Sequence, residues 1–167
     1  VKTATDRLAP LTSFLPPLSG HGFLPEGIHA TTLTELELRF ATTPIRKIAW
    51  QRLLTFLRDR VESKDFSYIY LGGGFISSVE SPSDVDVILQ TRAAFGPNAF
   101  KAMEPFFARG LDTIFRNHGI HLHFWCEGSP TDIQDFRYFF QNIRPGSASP
   151  LENPEEPKRG IVRVTVE

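Results

Sequence analysis

The chain has 167 residues, with 18 Lys and Arg against 19 Asp and Glu, 41% hydrophobic residues, 12 Gly and 13 Pro, the composition of one globular domain spanning residues 1–167. A formal net charge of −1 excludes binding to nucleic acid by bulk electrostatics, which needs a clear basic excess. The single cysteine, Cys126, excludes an intramolecular disulfide, and no apolar run approaches the roughly 18 residues of a membrane span. With no signal-peptide core in residues 1–17, a cytoplasmic protein without membrane contact is expected.

In chain order, residues 1–30 hold too many helix breakers for a regular element and read as an extended arm, with Phe14, Leu15, Phe23 and Leu24 as anchors and His29 as a hydrogen-bonding tie. Thr32 with Glu35 resembles a capping box and opens a short helix, although Leu36, Leu38 and Phe40 also alternate as in a strand. Thr43 followed by Pro44 is a cap with proline at the first helical position. Ile45, Ile48, Ala49, Leu53, Phe56, Leu57 and Val61 continue at helical spacing. Tyr68-Ile69-Tyr70-Leu71 is a strand that stops at three glycines, and Val85-Asp86-Val87-Ile88-Leu89 is a second. Residues 98–117 are helical in spacing, with Pro105 kinking or restarting the helix and Gly119 suited to its end. Residues 120–126 form a third strand. Ser129-Pro130-Thr131-Asp132 reads as a cap opening a helix with Ile133, Phe136, Phe139, Phe140 and Ile143. A Pro/Gly/Ser-rich loop over 145–158 precedes a final strand with Ile161, Val162, Val164 and Val166. The alternation predicts an α+β fold, a mixed sheet flanked by helices.

Chemistry concentrates in Leu71-Gly72-Gly73-Gly74-Phe75-Ile76-Ser77-Ser78 and the following Ser83-Asp84-Val85-Asp86-Val87. Glycines directly after a strand permit positive φ and close approach of a ligand to backbone N–H groups, which is how a phosphate is cradled. Asp84 and Asp86 lie two apart on a strand, so both project from one face while Val85 and Val87 enter the core. Paired carboxylates in that geometry suit Mg²⁺, which is held by one or two carboxylates and substrate phosphates.

Gly73-Gly74, nine residues, then Asp84-Val85-Asp86-Val87 resembles the signature of the DNA polymerase beta-like nucleotidyltransferase superfamily. Ser83-Asp84-Val85-Asp86 is similar to its minimal branch, small bacterial proteins often encoded in toxin–antitoxin and phage-defence modules. Leu24-Pro25-Glu26-Gly27-Ile28-His29, the stretch from Glu35 to Phe40 with Arg46 after it, and Lys158-Arg159-Gly160-Ile161-Val162 resemble landmarks of an uncharacterised family in that superfamily. The resemblance implies a nucleotidyltransferase fold in which Gly73 and Gly74 hold nucleotide phosphates and Asp84 and Asp86 coordinate Mg²⁺, with Mn²⁺ as an alternative ion. It implies transfer of an NMP from an NTP to a hydroxyl of a tRNA, a protein or a small molecule, and a cognate antitoxin or defence partner.

The chain departs from that pattern twice. Active members carry Ser after the first glycine, where this chain has Gly74, and Ser77 or Ser78 is the available substitute. Active members also supply a third carboxylate from a neighbouring strand, which here reads Ile120-His121-Leu122-His123-Phe124-Trp125-Cys126. Alternation puts His121, His123 and Trp125 on one face. An imidazole there can serve as a base or a metal ligand, both histidines can be half-buried strand residues paired with a carboxylate, or two His and two Asp can hold zinc. Arg46, Arg92, Lys158, Arg159 and Arg163 are cations within possible reach of phosphates.

Two other function classes compete. One is a catalytically degenerate fold that binds a nucleotide or a partner protein without turnover. The other is a sugar transferase holding a nucleotide-sugar through Asp-x-Asp, which leaves the glycine spacing unexplained.

Overall fold

A computed structural model describes residues 15–143 and 158–167. The predicted anchor Phe14 and the loop over 145–157 lie outside the described residues. Five strands form one mixed sheet: β1 Gly27–Ala30, β2 Phe66–Gly72, β3 Val85–Thr91, β4 Ile120–Trp125 and β5 Gly160–Thr165, in the spatial order β1-β5-β2-β3-β4. β2 runs antiparallel to both β3 and β5, whereas β3 and β4 are parallel, as are β1 and β5. The expected α+β architecture of a mixed sheet flanked by helices is therefore the observed one.

Five α-helices accompany the sheet among the described residues: α1 Leu33–Phe40, α2 Pro44–Arg60, α3 Pro97–Arg109, α4 Leu111–His118 and α5 Phe136–Phe139, with a 3-10 turn at Gly74–Ile76. The first two start where their caps demand. The Thr32 hydroxyl accepts from the Glu35 amide at 3.1 Å and the Thr43 hydroxyl accepts from the Arg46 amide at 3.3 Å, each satisfying a first-turn donor that no helical carbonyl reaches. One face of the sheet packs on the helices through the alternate residues Ile69, Leu71, Val85, Val87, Leu89, Ile120, Leu122, Val162 and Val164, joined by Leu36, Trp50, Leu53, Phe56 and Phe106. These strands read as nearly continuous apolar runs because the opposite face is also partly covered. There Tyr70, Ile88, Ile161 and Phe140 form a smaller cluster under α5.

Three expectations are corrected. The stretch 1–30 is not wholly an extended arm, because Gly27–Ala30 adds to β5 as a parallel edge strand, a pairing set by residues far along the chain. The helix over 98–117 breaks at Gly110, not at Pro105. Gly110 has φ of 81° and caps α3 and α4 alike, while Pro105 sits on the exposed side of α3 and the helix runs on through it. Gly119, with φ of 66°, ends α4 as expected. The helix predicted from Ser129 is only α5, capped by Asp135, because the Ser129 hydroxyl turns back to donate to the Cys126 carbonyl at 2.7 Å and closes a turn. Of the consecutive phenylalanines on α3, Phe106 is buried and Phe107 exposed, as their opposite sides of the helix require.

Among the described residues no helix is long and apolar enough to cross a membrane.

Candidate functional site

At one end of the sheet the last residues of β2 meet the first residues of β3 and β4. Register brings Gly72 beside Asp86 across the antiparallel pair and Asp86 beside His121 across the parallel one. The face expected to carry Asp84 and Asp86 is therefore the face carrying His121. His121 Nδ1 lies 3.1 Å from Asp84 Oδ2 and 3.5 Å from Asp86 Oδ1. One ligand atom from each of the three side chains falls within 4.8 Å of the others, a spacing at which a single cation can touch all three. The Asp84 and Asp86 side chains are mostly shielded while that of His121 is nearly half exposed, so the centre opens to solvent on the imidazole side. Phe115 of α4 lies flat on the His121 ring, with centroids 4.3 Å apart and planes 8° from parallel.

Gly73 is the residue on which this packing turns. Its φ is 73°, and a Cβ built there would stand 2.0 Å from Asp86 Oδ2, so the Asp86 carboxylate occupies the space that any other residue would fill. Directly after it the chain enters the 3-10 turn, whose carbonyls are gripped from behind. Arg46 of α2, only 4% exposed, donates from Nη1 to the Phe75 carbonyl at 2.8 Å and from Nη2 to the carbonyls of Ser77 and Gly74, with its guanidinium 5.3 Å from the centre of the Phe75 ring. Burial lowers the Arg46 pKa from its ordinary value. Arg46 is thus a structural brace of the glycine turn, not a cation facing a phosphate.

The two candidate serines have structural partners. The Ser77 hydroxyl is buried, donates to the Gly74 carbonyl at 2.8 Å and accepts from the Val79 amide at 3.2 Å, which closes the turn. Ser78 ties the turn to the N-terminal segment, its amide donating to the Gly22 carbonyl at 2.9 Å with its hydroxyl packed on Gly22. Gly74 lies next to Gly73 and opens the 3-10 turn that Ser77 closes and Ser78 ties down. The other cations are likewise engaged. Arg92 donates to the carbonyls of Ser63 and Phe66, Lys158 pairs with Glu26 at 3.1 Å, Arg159 donates to the Phe140 carbonyl, and Arg163 lies 4.7 Å over the Tyr68 ring. His29 Nε2 donates to the Pro25 carbonyl at 2.7 Å, the tie expected of it.

His123 shares the face of His121 but does not join the three-residue group. It pairs in register with Ile88, and its ring lies 4.0 Å from that of Phe136 and 5.1 Å from that of Phe140. Burial, and secondarily the neighbouring His121, push its pKa below the ordinary 6.5. The folded chain therefore binds fewer protons at His123 than the unfolded chain does. This contribution to stability is complete above 6.5 and is lost as the pH falls below that value. His123→Phe, an apolar ring among apolar rings, is expected to flatten the fall of melting temperature between about pH 7 and 5. Equal slopes for the variant and the parent protein would show that His123 keeps its proton on folding.

Beyond His123 the same face carries a network that local sequence patterns did not reveal. Arg137 of α5 grips Asp135 through Nε and Nη2, reaches Glu127 at 3.3 Å and lies 4.3 Å over the Trp125 ring. Burial opposes its charge, but hydrogen bonds to Asp135 and Tyr70 outweigh that and raise its pKa. The buried Gln90 side chain accepts from the Tyr70 hydroxyl at 2.6 Å and donates to Glu127 at 3.2 Å. Together these contacts hold the four-residue α5, too short to persist alone, against the sheet face that carries His123. A cavity of about 710 Å³ at the opposite end of the sheet, lined by Thr31, Leu57, Ile69, Val164 and their neighbours, shares no residue with this group.

Residues 16–165 match a family model described as a family of unknown function, DUF6932. No curated protein and no solved structure matches the chain.

Proposed function

The chain belongs to the DUF6932 family, and we propose that it is a divalent-cation-dependent nucleotidyltransferase that moves an NMP from an NTP to a hydroxyl of a tRNA, a protein or a small molecule. The observation that carries this reading is the convergence of Asp84, Asp86 and His121 within 4.8 Å beside Gly73, at the point where β2 gives way to the glycine turn. The donor set, two carboxylates and an imidazole open to solvent on one side, fits a divalent cation with positions left for phosphate oxygens. The sequence resemblance to the polymerase beta-like superfamily rests on these same residues. From it come the remaining parts of the proposal: Mg²⁺ as the usual ion, a cytoplasmic location, and a toxin–antitoxin or defence module with a cognate partner.

A bound divalent cation supplies charge neutralisation of the triphosphate and of the leaving pyrophosphate. The protein's share is positioning. Asp84 and Asp86, fixed on one strand and pressed between Gly73 and His121, are preorganised, so no rearrangement is required at the moment of transfer. Gly73 and Gly74 bring bare backbone within reach of phosphate oxygens. The brace from Arg46 keeps that backbone in place, and α5 shields the adjacent face from water. The incoming hydroxyl attacks the α-phosphorus and passes its proton to solvent water, while the bond from the α-phosphorus to the bridging oxygen breaks and pyrophosphate leaves.

A specific observation favours a second reading, a degenerate fold that binds nucleotide or partner without turnover. The side chain beside Asp84 and Asp86 is an imidazole where the sequence resemblance implies a third carboxylate, and Phe136 and Phe140 crowd the neighbouring His123. Calorimetry with ATP, GTP, CTP and UTP, with and without Mg²⁺ or Mn²⁺, followed by transfer of label from the bound NTP, separates the two. Cation-dependent binding with label transfer is the expected result. Binding without transfer to any acceptor favours the second reading, and absence of binding by every nucleotide removes the nucleotide from both.

A further inference from the structure

The three ligand atoms at the centre are two carboxylate oxygens and one imidazole nitrogen. Mg²⁺ is oxygen-seeking and keeps its remaining waters, whereas an imidazole nitrogen raises affinity for first-row transition dications and lowers the site's negative charge relative to a third carboxylate. The nitrogen here is not a side chain free to swing aside. Parallel pairing of Asp86 with His121 places them on neighbouring strands, and Phe115 stacked on the imidazole at 4.3 Å and 8° fixes the ring plane with Nδ1 toward both carboxylates. An aromatic clamp of this kind would add nothing to an all-oxygen Mg²⁺ site. Its effect is to hold one particular nitrogen at the place where a cation meets Asp84 and Asp86.

We propose that the Asp84, Asp86 and His121 centre is selective for a first-row transition-metal dication, with Mn²⁺ as the representative ion, over Mg²⁺, and that Phe115 is a positioning residue for the imidazole ligand. The inference rests on the reading of this centre as a divalent-cation site, but it does not depend on which reaction follows.

The test is binding of Mn²⁺ alone to the full chain, followed by electron paramagnetic resonance, with Mg²⁺ as competitor. The parent protein is expected to bind one Mn²⁺ with nitrogen coupling in the spin-echo spectrum and to need at least about a tenfold excess of Mg²⁺ for half-displacement. His121→Asp should abolish the nitrogen coupling and shift the competition ratio toward Mg²⁺ by about tenfold. Phe115→Ala should weaken Mn²⁺ binding by up to about tenfold with the nitrogen coupling retained. Mn²⁺ bound without nitrogen coupling in the parent protein, or no Mn²⁺ bound, overturns the proposal, and so does an unchanged ratio in folded His121→Asp. The spectrum of the parent protein and the Phe115→Ala titration decide the matter even if His121→Asp fails to fold. Nitrogen-coupled Mn²⁺ in a protein that binds no nucleotide would sink the transferase reading alone. Mg²⁺-dependent nucleotide binding indifferent to His121 would sink this proposal alone.

Discussion

Asp84→Asn and Asp86→Asn are each expected to abolish cation-dependent binding of a nucleoside triphosphate and to lower label transfer by roughly a thousandfold or more, while the melting temperature holds or rises. The magnitude follows from charge. A cation at a phosphoryl centre contributes several kcal/mol, and about 4 kcal/mol converts to roughly a thousandfold in rate. The isosteric amide keeps the shape that Gly73 accommodates but removes the negative charge that would hold the cation. Stability should not suffer, because the two carboxylates share one face and His121 Nδ1 lies within 3.5 Å of both, so removing one relieves mutual repulsion. Calorimetry, transfer of radiolabel and thermal melts on the two variants check all three parts. Transfer retained in both variants would remove Asp84 and Asp86 from the mechanism.

Arg46→Met is expected to cost about 3 kcal/mol, or roughly 6–12 °C in melting temperature, although it touches none of Asp84, Asp86 and His121. Methionine fills much of the volume but donates nothing, so the carbonyls of Gly74, Phe75 and Ser77 lose the donors that reach them from α2. The Phe75 and Ser77 carbonyls, which take the closer guanidinium contacts, account for most of the loss, while the Gly74 carbonyl keeps the Ser77 hydroxyl. Arg46→Lys should recover only part of it, because one ammonium cannot span acceptors that the planar guanidinium reaches together. Both variants should also weaken cation binding, since the braced turn begins at the glycine that accommodates Asp86. A melt of Arg46→Met within a degree or so of the parent protein would show that the turn holds itself.

The legibility of the sequence varied with the range of the forces involved. Thr32 and Thr43 announced α1 and α2 because a cap is decided within four residues, and the alternation of β3 placed Asp84 and Asp86 on one face for the same reason. The strand over 120–126 disclosed its two faces, but not which of two histidines would meet the carboxylates. That choice depends on the register between β3 and β4, which sets His121 against Asp86 and carries His123 one step further, under Phe136. Arg46 looked like any other surface cation because its burial depends on α2 lying behind the glycine turn. Phe115 escaped notice for a similar reason, since it reaches His121 only when α4 folds back on its own strand. Ser77 and Ser78 were visible as hydroxyls near phosphate-binding glycines, and only the closed turn shows that they serve the turn itself.

The parallel pairing of β3 with β4 also has a kinetic meaning. Asp84 immediately precedes β3 and Asp86 lies at its start, whereas His121 lies at the start of β4, with the whole of α3 and α4 between them. A hairpin can form before the rest of a chain collapses, but a parallel pair must wait for its crossover to close, and that loop-closure entropy is met late. Asp84, Asp86 and His121 therefore come together only in chains in which β3 and β4 have paired across that crossover. A cation bound there would report that this one crossover has closed, and chelation would leave the folding steps before it at their original rates.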